Sequence, residues 1–371
     1  MKIGFDAKRA FLNNTGLGNY SRDSIRILGT CYPKHQYLLY TPKVTNNPRV
    51  SFLEGNTQYK VHTPNSFLHT TFPGIWRSAS LRKQLQKDGI EIYHGLSHEL
   101  PKGIEKTNIK TVVTIHDLIF IRYPQLFKAI DRKIYYHKFL HACQVADRII
   151  AVSQQTKKDI IEFFSIPEEK ITVVYQGCHQ VFQSEVTEKE TVCHKHQLPS
   201  NYLLYVGSIE ERKNLLTLLK SMKELPEQHL VVIGNGKQYK KQCLQFVKEN
   251  TLSNRIHFLS GLSLIEMAAI YQSAEMMIYP SIFEGFGIPI LEALFCKTPV
   301  ITTKGGCFSE SGGPSSYYIN PLDVSELKEA IQHIQSDKDL REQMIADGYL
   351  HAQKFTDDKI AQNLMNIYQS L

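Results

Sequence analysis

Four charged residues far apart in the chain could share one task. Arg212 and Lys213 stand side by side ahead of a leucine-rich stretch. Glu284 and Glu292 bracket Gly285-Phe286-Gly287-Ile288. Arginine offers a planar fork of donors and lysine a compact charge, a pairing suited to phosphate. At an effective dielectric of ~20, one unit-charge pair 4 Å apart is worth about 4 kcal/mol before desolvation is subtracted. Carboxylates accept hydrogen bonds from hydroxyls, and backbone N–H groups at a helix start stabilise anions. Such a set would suit a ligand that carries both sugar hydroxyls and phosphate. The plainer reading is a solvated loop glutamate, a surface glutamate on a helix and an exposed Arg-Lys pair.

The local pattern bears on that choice. Met276–Tyr279 is a short apolar run fit for a buried strand, and Gly285 and Gly287 then permit tight turns and close backbone approach. Pro289 suits a first helical turn, Ile290, Leu291, Ala293, Leu294 and Phe295 give the helix its apolar contacts, and Pro299-Val300-Ile301 begins another strand. Were both glutamates helical, they would lie about 80° apart around the axis and about 12 Å along it. With Glu284 in the loop, both can face the crevice at the strand's C-terminal end, where open α/β sheets bind ligands. Tyr202–Val206 repeats the design: a strand, the Gly207-Ser208 turn, then the two cations before a helix. Gly234, after Leu230–Ile233, would edge the same crevice.

Short apolar runs alternate with helical spacing along the whole chain, the pattern of parallel α/β sheets. In the first half, strands are expected at Lys2–Ala7, Tyr37–Thr41, Tyr59–His62, Ile90–His94, Thr111–His116, Arg148–Ser153 and Ile171–Tyr175, with helices at Tyr20–Leu28, Leu81–Lys87, Tyr135–Ala146 and Gln154–Phe164. Asn13 to Gly18 reads as a turn-rich loop whose Gly16 and Gly18 would let the backbone approach a phosphate or sugar, although a third glycine of a dinucleotide fingerprint is missing. His116 ends an apolar strand and precedes Asp117; a lone histidine is commonly structural, but that edge opens on a crevice. In the second half, strands are expected at Tyr202–Val206, Leu230–Ile233, Ile256–Leu259, Met276–Tyr279, Val300–Thr302 and Tyr317–Ile319. Helices are expected there at Leu215–Met222, Tyr239–Glu249, Leu264–Gln272, Pro289–Phe295 and Val324–Gln335, and Asp357–Leu371 has one apolar face. Gly177 to Ser200 is polar and reads as a connection.

A length of 371 residues suggests two domains, and 42% hydrophobic with 21% charged residues is an ordinary globular composition. No apolar run approaches the ~18 residues that would span a bilayer. Seven scattered cysteines without a C-x-x-C pair favour reduced thiols in a cytoplasmic setting. Residues 1–177 hold 25 Lys and Arg against 14 Asp and Glu, an excess of +11; the remainder holds 18 against 22, or −4. The basic half would fit an anionic membrane surface or a solvated face. No nucleic-acid motif accompanies it.

The string EGFGIPILEAL followed by PVITT closely resembles the Glu-x7-Glu signature of retaining glycosyltransferase family 4. GSIEERKN, VVTIHDLIF, RYPQLF, ADRIIAVSQQTKKDI and GLGNY extend the resemblance over most of the chain. It implies a GT-B fold: two facing Rossmann-like doubly wound α/β domains with a cleft between them. The expected division is residues 1–177 as the acceptor-side domain, 178–356 as the nucleotide-sugar-binding domain, and 357–371 as a helix crossing back to the first. KGGCFSESGGPSSYY, from Lys304 to Tyr318, departs from the family's usual Pro-Glu-Val turn; Glu310 stands nearest to that glutamate.

The resemblance implies a hexosyltransferase that retains anomeric configuration, with mannose the best match. Its donor would be GDP-mannose or a UDP-sugar, and its acceptor a glycan or lipid-linked saccharide, as in polysaccharide biosynthesis. Arg212 and Lys213 would take the diphosphate, Glu284 the donor sugar's hydroxyls, Glu292 the ribose, and His116 the sugar near its reacting carbon. Backbone groups of Gly285, Phe286, Gly287 and Ile288 would complete the donor contacts, with Gly16, Gly18, Gly207, Ser208 and Gly234 around them. No cofactor or divalent metal is expected, nor an Asp-x-Asp pair to hold one. Rival readings are a nucleotide-sugar epimerase on the same fold, a nicotinamide-dependent oxidoreductase and a non-catalytic sugar-nucleotide-binding protein. A cytoplasmic protein follows, with peripheral contact at the inner membrane face through Phe67–Leu85 as one option against core packing.

Overall fold

Where helices cover both faces of a sheet, the central strands are apolar on both sides and leave solvent, as at Leu203–Val206, Leu230–Ile233 and Met276–Tyr279. A computed structural model describes residues 1–45, 47–64, 74 and 76–371 of the chain. They form two compact units, Met1–Gly177 joined by Phe355–Leu371, and Cys178–Lys354.

The first unit is built on β1 (Lys2–Asp6), β2 (Gln36–Tyr40), β3 (Tyr59–His62), β4 (Ile92–Gly95), β5 (Lys110–Ile115), β6 (Arg148–Ala151) and β7 (Ile171–Val173). Among the described residues they make a parallel sheet in the order β3-β2-β1-β4-β5-β6-β7. The second unit holds β8 (Leu203–Val206), β9 (Leu230–Ile233), β10 (Ile256–Leu259), β11 (Met276–Tyr279), β12 (Val300–Thr303) and β13 (Tyr317–Ile319), in the order β10-β9-β8-β11-β12-β13. That order is the doubly wound Rossmann arrangement, in which the chain reverses direction beside the first strand. The reversal falls between β1 and β4 in one unit and between β8 and β11 in the other.

The helix Asp357–Gln369 belongs to the first unit. Its Ile360, Leu364, Met365 and Tyr368 join Ile3, Phe5, Tyr20 and Tyr37 in one apolar cluster. Arg26 pairs with Asp357 at 2.8 Å. A buried polar chain adds to the attachment. Tyr20 Oη and Thr114 Oγ1 lie 2.9 Å apart, His94 Nε2 is 2.8 Å from Thr114 Oγ1, and His94 Nδ1 is 2.7 Å from Tyr368 Oη.

Several helices differ from expectation. Gly16 and Gly18 lie in the first turn of a helix, Gly16–Cys31, and a short helix, Lys8–Leu12, precedes it, so the expected loop shrinks to Asn13–Thr15. The connection after Gly177 contains the helix Lys189–Lys195, which buries Val192. The helix Lys338–Ala352 was not expected, because Gly348 and charges on all sides blur its periodicity. Of the stretch proposed to meet a membrane, Phe67, Leu68, Phe72 and Ile75 lie outside the described residues. Trp76, Leu81 and Leu85 are core, and Arg77 is paired with Asp6.

His94 and His116 are buried in the first unit, and burial lowers their pKa from 6.5 to about 3 and about 4. Unfolded, each ring takes a proton near pH 6.5. Between that value and the folded one, the unfolded chain binds more protons. Stability is therefore full above pH 6.5 and declines below it, by up to about 1.4 kcal/mol per pH unit per histidine, until the folded rings protonate. Urea denaturation at a series of pH values from neutral to acid checks this. A flat stability curve through that window would show that the rings are hydrated.

Candidate functional site

In the second unit the reversal point brings Arg212, Lys213 and Glu284 together. The chain leaves β8 through Gly207 and a 3-10 turn, Glu211–Lys213. It leaves β11 through Ser281 to Glu284. Because β8 and β11 are neighbours, these loops meet. Ile282 N donates to Arg212 O at 2.8 Å and Ser281 Oγ to the same carbonyl at 3.2 Å. Asn214, in the left-handed region, turns the chain into the helix Leu215–Lys223, and its side-chain amide donates to Pro321 O.

Arg212, Lys213 and Glu284 form one ion cluster, with Lys213 buried and the other two partly buried. Glu284 Oε1 lies 2.7 Å from Arg212 Nη1 and 2.6 Å from Lys213 Nζ. The same oxygen accepts from Ser281 Oγ at 2.6 Å and Tyr279 Oη at 3.0 Å. Lys213 Nζ donates to Tyr279 Oη and lies 4.8 Å from the centre of that ring, a cation–π arrangement. Arg212 Nη1 also donates to Phe283 O at 2.6 Å. Burial would raise the Glu284 pKa, but the charges of Lys213 and Arg212 outweigh it and hold the carboxyl at about 2. The ammonium of Lys213 is pushed down by burial, with Glu284 opposing and Arg212 assisting.

Glu292 lies on the helix Ile288–Phe295 and is buried, its Oε2 accepting from Tyr271 Oη at 2.8 Å. Gly287 caps that helix with φ +108°, a conformation that suits glycine, and Ile288 opens its first turn. Phe286 is buried beside it. Cys307 Sγ donates to Glu284 O at 3.2 Å, so the unusual loop after Lys304 packs directly on the cluster.

Gly207 and Gly234 touch backbone to backbone. Gly207 N donates to Ile233 O at 3.0 Å, and a Cβ on Gly234 would stand 1.9 Å from Gly207 O. Ser208 continues this turn, its carbonyl accepting from Tyr205 Oη. Gly234→Ala must therefore displace the turn that leads to Arg212. We expect it to lower stability by about 1–3 kcal/mol, as overpacking does. A thermal melt checks this, and an unchanged midpoint would show that the turn yields freely.

His116, in the first unit, follows β5. Its Nε2 donates to Leu96 O at 2.9 Å and its Nδ1 accepts from Gln176 Nε2 at 2.9 Å, so both ring nitrogens are engaged in a neutral tautomer. Tyr20 meets the ring edge-on, with centroids 4.6 Å apart. Gly16 has open space where a side chain would be, whereas Gly18 packs against the carbonyl of Asn13.

Tyr279, Ser281 and Tyr271 were missed as site residues. Tyr279 reads in the sequence as strand, and its role shows only once β8 lies beside β11. The expectation that the chain lacks an Asp-x-Asp is corrected: Asp337-Lys338-Asp339 is one. Asp337 uses its carboxylate to cap a helix, Oδ1 accepting from Leu340 N at 2.9 Å.

Comparison with known proteins bears on the family and the fold. Residues 33–179 match the profile described as Glycosyltransferase Family 4, and residues 187–351 the one described as Glycosyl transferases group 1. O-antigen chain mannosyltransferase B of Escherichia coli is 29% identical over 288 residues, which span 76% of this chain and 74% of that protein. O-antigen chain mannosyltransferase RfbU of Salmonella typhimurium is 30% identical over 226 residues, 60% of each. Among solved structures, a sucrose-phosphate synthase from Thermosynechococcus elongatus superimposes with a TM-score of 0.82 at 21% identity, over 100% of this chain and 98% of that one. HepE of Anabaena in complex with UDP-glucose gives a TM-score of 0.79 at 18% identity, over 100% of both. Two Rossmann-like domains of the GT-B type, matched by family profiles in each half, make this chain a member of glycosyltransferase family 4.

Proposed function

We propose that the chain transfers a hexose, mannose first among the choices, from a nucleotide-diphosphate sugar to a glycan or lipid-linked saccharide, with retention of anomeric configuration. The observation that carries this reading is the Arg212–Lys213–Glu284 cluster at the reversal point of the second unit. Two cations share the partly buried Glu284, and the second carboxylate, Glu210, is exposed and lies 3.9 Å from Arg212, so a diphosphate can take over their charge. As the glycosidic bond breaks, negative charge builds on the departing nucleotide, and Arg212 and Lys213 lower the energy of that state. Glu292 holds the ribose, and the backbone from Gly285 to Ile288 meets the sugar.

Glu284 is not a nucleophile in this scheme. Four donors already converge on its Oε1, and a carboxylate so held is a poor attacking group. It aligns the two cations and turns toward sugar hydroxyls as the diphosphate takes over their charge. His116, neutral and held by two partners, is a positioning group beside the reacting sugar. No divalent metal takes part, since side-chain cations supply the positive charge. GDP-mannose is the first donor to try, because the relatives above are named mannosyltransferases; a UDP-sugar is the second, because HepE was solved with UDP-glucose.

A thermal-shift screen against nucleotide sugars tests the reading, since a ligand that binds the folded state raises its melting temperature. GDP-mannose should raise it most. If no nucleotide sugar moves the midpoint, the reading fails. NMR of the product's anomeric signal, with and without chelator, tests retention and independence from metal.

A further inference from the structure

We propose that Gln176 is a positioning residue that fixes the proton of His116 on Nε2, so that the ring meets the donor sugar uncharged. This deepens the proposed function and rests on its placing of His116 beside the reacting sugar. The tautomer follows from acceptor chemistry. His116 Nε2 lies 2.9 Å from Leu96 O, and a carbonyl oxygen can only accept, so Nε2 carries the hydrogen. The lone pair of Nδ1 then needs a donor, and the amide nitrogen of Gln176 stands 2.9 Å from it.

The place of Gln176 in the chain singles it out. It follows β7 and comes one residue before the first unit breaks off at Gly177. A glutamine in such a connecting segment ordinarily extends into water, yet Gln176 is only 6% exposed. Its side chain reaches from the end of β7 to the residue that follows β5. The rest of the histidine is held as firmly. His116 N donates to His98 Nδ1 at 3.4 Å, and His116 O accepts from Thr156 Oγ1 at 3.1 Å. His98 is itself stacked on Phe139, with centroids 4.2 Å apart, and takes φ +65°, uncommon for a residue with a side chain. Leu96 and His98 follow β4, His116 follows β5 and Gln176 follows β7, so three loops at the C-terminal edge of one sheet converge on one imidazole.

Charge explains why the position of one proton matters. As the glycosidic bond breaks, the sugar gains positive, oxocarbenium-like character. An imidazolium beside it would oppose that charge, whereas a neutral ring does not. The titratable groups that face His116 are His94 on β4, His98 after it, Tyr20 on the helix Gly16–Cys31 and Arg9 on the helix Lys8–Leu12. Burial disfavours a second proton most, the bond to Leu96 O opposes it, and Arg9 assists it. Gln176 adds the directed part: its N–H occupies the direction from which a second proton would approach Nδ1.

The test is NMR of the full chain labelled in the histidine ring nitrogens, with the His116 signals identified by their loss in His116→Asn. At neutral pH, Nε2 should give the signal of a protonated nitrogen and Nδ1 that of an unprotonated one. Gln176→Glu keeps the size of the side chain but turns the donor into an acceptor, so Nδ1 should take a second proton. The titration midpoint of His116 should then move from about 4 to above the ordinary 6.5. With GDP-mannose as donor, kcat of that variant at mildly acid pH should lie at least about tenfold below wild type. It should recover as pH rises through the new midpoint, with the donor's KM nearly unchanged. Gln176→Leu removes the donor without adding an acceptor, and should move the Nδ1 signal toward that of a partly protonated nitrogen; it keeps the proposal testable where the glutamate variant does not fold. A protonated Nδ1 in the wild type, or ring signals unchanged in both variants, overturns the proposal. So does a Gln176→Glu pH profile that matches wild type. Normal transfer by both variants removes this inference and leaves the transferase reading intact. If no nucleotide sugar shifts the melting temperature, that reading falls, while the ring signals still report whether Gln176 fixes the proton.

Discussion

Arg212→Ala is expected to lower turnover by roughly 10²–10³-fold, the usual effect of removing a donor that stabilises developing charge. The expectation follows from where the guanidinium sits. It bonds Phe283 O and Glu284 Oε1, while its own carbonyl is bound by Ile282 N and Ser281 Oγ. It is therefore held before substrate arrives, and little reorganisation is needed as the nucleotide leaves. Lys213 and Glu284 remain in contact in the variant, so the fold should survive and the loss should appear chiefly in kcat. The check is steady-state kinetics with the donor that gives the largest thermal shift. Near-normal kcat would remove Arg212 from the mechanism.

Glu284→Ala should be the most destabilising single change at the site, by about 3–5 kcal/mol, because it strands buried positive charge without its counterion. Lys213 would keep Tyr279 as hydrogen-bond partner and cation–π face, and Arg212 would keep Phe283 O, but no carboxylate would stand between them. Urea denaturation of Glu284→Ala, Lys213→Met and the double variant measures the coupling directly. If the loss comes from stranded charge, the double variant should be more stable than the sum of the singles implies. Additive losses would mean that Glu284 acts through packing alone.

Much of this was legible in the sequence wherever burial on both faces made a strand uniformly apolar. Leu230–Ile233 and Met276–Tyr279 occur where the apolar runs put them. The helix Leu215–Lys223 and the paired cations before it were equally readable, because strand, glycine turn and helix occur in unbroken order. What stayed hidden depends on neighbours distant in the chain. Ser281 looks like a turn residue until its hydroxyl is seen bridging Arg212 O and Glu284 Oε1. Gly16 and Gly18 read as a loop because glycine weakens helices on average, yet this helix begins on them and is stabilised by its packing. The helix expected at Tyr135–Ala146 begins six residues earlier, at Ala129, because nothing in the spacing of Ala129–Ile134 marks its start.

The first unit draws on both ends of the chain, and this has a bearing on biosynthesis. Residues 355–371 leave the ribosome after all of Cys178–Lys354, so β1 and the helix Gly16–Cys31 must wait for the partner that covers them. The second unit, continuous in the chain, can fold while the first is still unfinished. Until Tyr368 has emerged, His94 lacks its partner and the apolar cluster around Phe5 stays open to chaperones or proteases. Nascent chains stalled before residue 355 should therefore be cleaved within residues 1–177 and resist cleavage within 178–354.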